Sequence, residues 1–203
     1  NHEYFGSDLS TFPTSFEEAI RTNILLLNNK VKLIEDTAGP IQLIFSTLWS
    51  HIPTHLAEIV AKRMLDFKAL TQNGKEITSL EYNQLHQEAL HFLDFALGES
   101  GDLNTQSGLE EGSKLTRKLV ISHHLPSFLN YPKKHQNDPI NAGFASNLDD
   151  FIQKTAPNAW IYGHHHSNIP PFLIGKTRLY TNQLGYVKFK EGIGFNRSAT
   201  LEL

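Results

Sequence analysis

At 203 residues, with 39% apolar and 19% charged side chains and a formal charge of -3, the chain has the size and composition of one globular α/β domain. These values exclude disordered, collagenous and membrane-spanning classes, and the chain lacks the basic excess of a dedicated nucleic-acid binder. Cysteine is absent, so disulfides and thiolate metal sites are excluded, His, Asn and carboxylates remain as possible metal ligands, and a cytoplasmic location is expected.

The chain opens on Asn1-His2-Glu3. Asn1 is not a start methionine, and a metal-ligand-like triplet at an extreme terminus would be frayed, so the chain is expected to be missing its beginning. Tyr4 to Thr14 reads as a loop leading into a helix near Ser15 to Asn23, with Ser15 and Glu18 in capping-box spacing. Ile24 to Asn28 reads as a short strand, Asn28-Asn29 as a turn, alternating Val31 and Leu33 as a second strand, and Gly39-Pro40 as punctuation. Ile41 to Trp49 is β-branched and aromatic enough for a buried strand.

Two helices are expected next. The first covers roughly Thr54 to Leu70, with Leu56, Ile59, Val60 and Met64 on one face. The second covers Ser79 to Leu97, with Thr78 and Glu81 as a capping box and Leu85, Ala89, Phe92, Leu93 and Ala96 at helical spacing. His86 and His91 on this helix read as ordinary core or surface histidines. Gly98 to Ser113 is polar and acidic and reads as an exposed loop without chemistry, followed by a strand over Lys118 to Ser122. Pro126 to Gly143 is a long loop of the kind that forms lids or binding loops. A helix over Ala145 to Ala156, capped at Ser146 with Asp149 and Asp150 in its first turn, leads into a strand over Ala159 to Tyr162. Phe172 to Ile174, Arg178 to Thr181, Tyr186 to Phe189 and Ala199 to Leu203 complete a β-rich tail.

Two of these strands end in histidines. Trp160-Ile161-Tyr162-Gly163 runs into His164-His165-His166, and Val120-Ile121-Ser122 runs into His123-His124. Imidazole is the commonest side-chain ligand for catalytic transition metals, so the two strand ends and the opening triplet suggest one composite site. In an extended segment His164 and His166 share a face while His165 points away.

Asn1-His2-Glu3, His123 before His124-Leu125-Pro126, and Gly163-His164-His165-His166 resemble, in order and separation, the last three signature blocks of the calcineurin-like metallophosphoesterases. The resemblance covers nearly the whole chain. It implies a single domain over 1–203, an α/β sandwich of two mixed β-sheets flanked by helices, with the opening strands missing and apolar edges exposed by their loss. It also implies two divalent metal ions, Mn, Fe or Zn. Asn1 (through its amide oxygen), His123 and His164 would bind one ion and His166 the other, with His2 as the acid that serves the leaving group. The implied reaction is hydrolysis of a small phosphomonoester or phosphodiester by a metal-bridging hydroxide.

The family's Asp-x-His and Gly-Asp-x-x-Asp blocks precede the Asn-His-Glu block and are expected upstream of Asn1. The 203-residue polypeptide itself is accordingly expected to be inactive or at most weakly metal-binding. The alternative from another class is a catalytically inactive metal-binding or scaffold protein. A metallo-β-lactamase-type hydrolase would carry His-x-His-x-Asp-His, and Ser167-Asn168 argues against it. His124 is an alternative to His123. Trp49 and His51 are candidate pocket residues, Tyr4, Phe5 and Tyr131 are candidate stacking groups, and Asn182 with Gly185-Tyr186 reads first as a turn, with a loop that approaches the site as the alternative. Nothing in the sequence names a substrate-binding residue.

Overall fold

The computed structural model describes residues 1–98 and 117–203; beyond Gly98, the loop expected up to Ser113 lies outside them. A 3-10 turn over His2–Tyr4 leads to helix α1, Phe12–Ala19, whose first turn carries Pro13, where a missing N–H costs nothing. α1 begins earlier than the Ser15 capping box predicts, because Ser15 Oγ donates back to the Phe12 carbonyl. Ile24 to Asn28 forms no strand. Asn28 Oδ1 instead accepts from the Thr47 amide and Asn29 Oδ1 from Ser46 Oγ, so side-chain acceptors replace a ladder there.

Strands β1, Lys30–Asp36, and β2, Gly39–Ser46, form an antiparallel hairpin. Gly39-Pro40 starts β2 rather than breaking the chain. Pro40 is tolerated because the pairing of β2 with its other neighbour begins only at Ile41. The single helix expected over Thr54 to Leu70 is three pieces: a 3-10 turn over Thr54–Leu56, α2 over Ala57–Arg63 and α3 over Asp66–Ala69. Met64 is extended and turns the chain between α2 and α3. Val60 and Met64 are buried as expected, whereas Ile59 is exposed.

A small hairpin, β3 (Thr71–Gln72) with β4 (Lys75–Glu76), precedes α4, Ser79–Leu97. α4 starts with the expected capping box: Thr78 Oγ1 accepts from the Glu81 amide and Glu81 Oε2 from the Thr78 amide. β5 spans Arg117–Ser122 and α5 spans Asp149–Thr155. α5 lacks the expected Ser146 cap, since Ser146 Oγ accepts from the His51 amide and Asn147 Oδ1 takes the Asp149 amide. β6 (Ala159–Ile161), β7 (Phe172–Ile174) and β8 (Thr177–Tyr180) follow. Val187–Phe189 is a 3-10 turn, and 199–203 pairs with no strand, so the tail is less β-rich than its composition predicts.

The result is a mixed α/β structure: a six-stranded sheet in the order β1-β2-β5-β6-β8-β7 and a separate two-stranded one, flanked by helices. β2, β5, β6 and β8 are mutually parallel, and β1 and β7 close the edges antiparallel. One row across the parallel strands, Ile44, Val120, Trp160 and Leu179, is fully buried against Ala89, Leu93 and Ala96 of α4 and Ile152 of α5. Burying side chains of this size contributes about 1.5–3 kcal/mol each.

The opposite face carries Ile41, Leu119 and Ala159, with Leu43, Ile121, Ile161 and Tyr180 only partly buried. Parallel strands are usually apolar and covered on both faces. No second large sheet covers this one among the described residues, so the two-sheet sandwich is not seen there. A second core lies under α1 to α3 and holds Tyr4, Phe12, Trp49, Phe67 and Tyr82. Among the described residues no helix is long and apolar enough to cross a membrane.

Candidate metal centre at the carboxyl ends of the parallel strands

Four parallel strands deliver their carboxyl ends to one edge, where open α/β sheets usually bind ligands. β2 feeds Thr47 to Trp49, β5 feeds His123, β6 feeds the histidine triplet and β8 feeds Gln183 to Tyr186. Several residues here hold left-handed backbone: Leu48 (φ 67°), Trp49 (φ 53°), His164 (φ 77°) and His166 (φ 50°). Each such non-glycine conformation costs about 1–3 kcal/mol and persists only where surrounding structure imposes it. The extended-segment argument for the triplet therefore does not hold, because His164 and His166 are set by a kinked loop rather than by strand alternation.

That loop is held by Gln183. Its Oε1 accepts from the His166 amide at 2.8 Å, while its Nε2 donates to His165 Nδ1 at 2.9 Å and to Thr181 Oγ1 at 2.6 Å. Asn168 completes the clasp, with Oδ1 accepting from the Gln183 amide and Nδ2 donating to the Gln183 carbonyl. His165 is turned into the packing, edge-on to Tyr131 and Tyr162.

His123 and His164 lie with ring centroids 4.7 Å apart, and His2 lies 6.2 Å from His123. Asn1 is buried, and its Nδ2 donates to Asp66 Oδ1 at 2.5 Å. The amide is thereby oriented and its oxygen left over. Asn1 Oδ1, His123 Nε2 and His164 Nε2 are all buried without a hydrogen-bond partner. Buried polar atoms are nearly always satisfied, so three orphans on adjacent residues need an explanation. Burial, with His2 and His166 nearby, lowers the His123 pKa to about 3; burial followed by the neighbouring His123 holds His164 far below the usual imidazole range. Both rings are thus neutral near pH 7, the form that ligates metal.

His124 differs. Its Nδ1 lies 3.1 Å from the Thr47 carbonyl and its Nε2 3.0 Å from Tyr82 Oη, so both nitrogens are committed within the core. His166 Nδ1 meets Glu191 Oε2 at 2.8 Å. Counted by His, Cys, Asp and Glu alone, no group of three among the described residues is arranged as a ready metal cage. The trio of orphans includes an amide oxygen and so falls outside that set. Its two nitrogens and one oxygen suit Mn, Fe or Zn.

His2, His164 and His166 line a cleft of about 360 Å³ with Asp66, Tyr186 and Glu191. The His2 ring stacks parallel to Tyr186 at 6.4 Å and tilts against Phe5 at 4.7 Å. Asn1 and His123 border a neighbouring groove. Trp49 is a core residue that does not reach the cleft; Tyr4, packed against Trp49 and Phe12, borders the groove beside Asn1 and His123, and Tyr131 lines an adjoining cavity beside His165. His51 faces a separate cavity beside His86.

Asp66, Gln183 and Glu191 were not legible as site residues. An Asp set among Met64, Leu65 and Phe67 in a helical pattern was the one signal available for Asp66. Gln183 and Glu191 lie in turn-rich tail sequence, with no spacing that ties them to the histidines.

No protein-family model and no curated protein matches the chain. One solved structure aligns with it at 14% identity and a TM-score of 0.43, covering 86% of this chain and 52% of the other, so this chain spans about half the length of that protein. A likeness at this level carries no argument about fold or function.

Proposed function

We propose that this chain is the histidine-bearing part of a calcineurin-like metallophosphoesterase, a two-sheet α/β hydrolase of small phosphomonoesters or phosphodiesters. Asn1, His123 and His164 would hold one divalent ion and His166 would contribute to a second. The observation that supports this reading is the set of three orphaned buried atoms, Asn1 Oδ1, His123 Nε2 and His164 Nε2, on the three residues that the motif pattern assigns to a single ion.

When bound, such ions supply a hydroxide at neutral pH and offset charge on the phosphate oxygens. The chain's own residues do the rest. Asp66 holds the Asn1 amide so that its oxygen stays free, and Gln183 fixes the backbone between His164 and His166. His2, exposed at the cleft beside Phe5 and Tyr186, would give a proton from an imidazole nitrogen to the leaving oxygen. Burial, first among several influences, lowers its pKa, which makes the imidazolium a stronger acid.

The test is hydrolysis of 4-nitrophenyl phosphate and its bis-ester by the complete product of the gene, with Mn²⁺ added and then removed by a chelator. Turnover that requires the ion and is abolished by His164→Ala supports the proposal. Absence of turnover with tight ion binding would replace it with the metal-binding or scaffold reading.

A further inference from the structure

Beyond the ligand set stands a carboxylate that the proposed chemistry does not use. Glu191 Oε2 accepts from His166 Nδ1 at 2.8 Å and from the Tyr186 amide at 2.7 Å. Tyr186 also packs edge-on against the His166 ring, with centroids 4.6 Å apart at 87°. Ring and loop are therefore locked together.

The approach depends on a glycine. Gly185 has φ of 62°, and a Cβ there would lie 2.7 Å from Glu191 Cβ and 3.2 Å from His166 Cβ. Only a residue without a side chain lets Glu191 come this near to His166. The loop is tied down at its far end, where Asn168 Nδ2 donates to the Ile193 carbonyl and Asn182 exchanges two hydrogen bonds with the Asn196 backbone. A carboxylate held in this way accepts the Nδ1–H of a neutral imidazole and leaves the Nε2 lone pair for a ligand. Outer carboxylates orient metal-binding histidines by this means.

We propose that Glu191 is a positioning residue for His166, fixing the Nδ1–H tautomer and ring angle so that Nε2 serves the second divalent ion. The role of the ion rests on the phosphoesterase reading above; the tautomer does not.

The experiment uses the complete gene product, ¹⁵N-labelled, with two readouts. The first is the NMR assignment of the His166 ring proton without added ion, and the second is calorimetric titration with Mn²⁺. In the unsubstituted protein the proton is expected on Nδ1. In Glu191→Ala the Nε2–H form should grow in, and the affinity of one Mn²⁺ site should fall by roughly 10–100-fold. Glu191→Gln keeps an oxygen that accepts Nδ1–H and should stay within a few-fold of the parent. Gly185→Ala should act like Glu191→Ala.

A proton on Nε2 in the unsubstituted protein overturns the proposal. So does unchanged Mn²⁺ affinity in a folded Glu191→Ala, or a rise in affinity, which would mean that Glu191 competes with the ion for Nδ1. If Glu191→Ala does not fold, the parent tautomer and Glu191→Gln decide. Two bound ions with an indifferent Glu191 would refute the positioning role alone. A Glu191-dependent Nδ1–H in a protein that binds no ion would refute the phosphoesterase reading alone.

Discussion

Asp66 gives a sharp test of the candidate centre, because its effects on binding and on stability should point in different directions. The residue begins α3, is almost wholly buried, and accepts a hydrogen bond from Asn1 Nδ2. Burial raises its pKa, more than the Asn1 hydrogen bond lowers it. The folded structure therefore disfavours the carboxylate charge relative to water, and the charge is retained at some expense of stability. A hydrogen bond to a charged acceptor is worth about 1.5–3 kcal/mol. If that bond is what keeps the Asn1 amide oxygen aimed at the ion, its loss converts to roughly 10–100-fold in Mn²⁺ affinity, at about 1.4 kcal/mol per tenfold.

Asp66→Ala in the complete gene product should show a decrease of that size by calorimetric titration. Asp66→Asn keeps an oxygen acceptor and removes the buried charge. It should lose less affinity, and in urea unfolding it should be as stable as the parent or more so. Parent-like Mn²⁺ affinity in both folded variants would refute the reasoning, since the amide would then need no carboxylate to hold it.

Three further outcomes are expected. His2→Ala should lower turnover much more for an alkyl phosphate than for 4-nitrophenyl phosphate, whose leaving group needs little protonation, and equal losses would count against an acid role. Trp160→Phe removes the Nε1–H that donates to Ser122 Oγ at 2.9 Å in the buried row of the sheet, and should cost about 1–3 kcal/mol in denaturant unfolding. His86 is buried, and burial lowers its pKa despite the Leu48 carbonyl 3.0 Å from Nδ1. Its neutral form therefore stabilises the fold fully above an unfolded-state pKa of about 6.5, and that contribution is lost as pH falls from there toward the lower folded value. His86→Gln should flatten this part of the acid-unfolding curve, and an unchanged slope would refute the assignment.

Patterns that act over short range were legible in the chain. The α4 capping box and its apolar stripe, and the β2 and β5 runs, are local signals in which propensity and periodicity agree with the final packing. The two apolar runs that lead into histidines likewise form strands, β5 and β6, which the fold pairs side by side. Where expectation and structure part, long-range partners intervene. Met64 bends a helix-patterned segment so that Asp66 meets Asn1, and Asn28 and Asn29 spend their side chains on the end of β2 instead of letting Ile24 to Asn28 pair.

The amino-acid order determines which groups capable of ligation exist and which strands carry them. Tertiary structure alone decides which are free to act. His123 and His124 are neighbours of identical chemistry, yet one has both nitrogens committed to Thr47 and Tyr82 while the other keeps a buried Nε2 without a partner. Burial and hydrogen bonding depend on what the fold brings alongside from 40 or more residues away, and no local spacing encodes that.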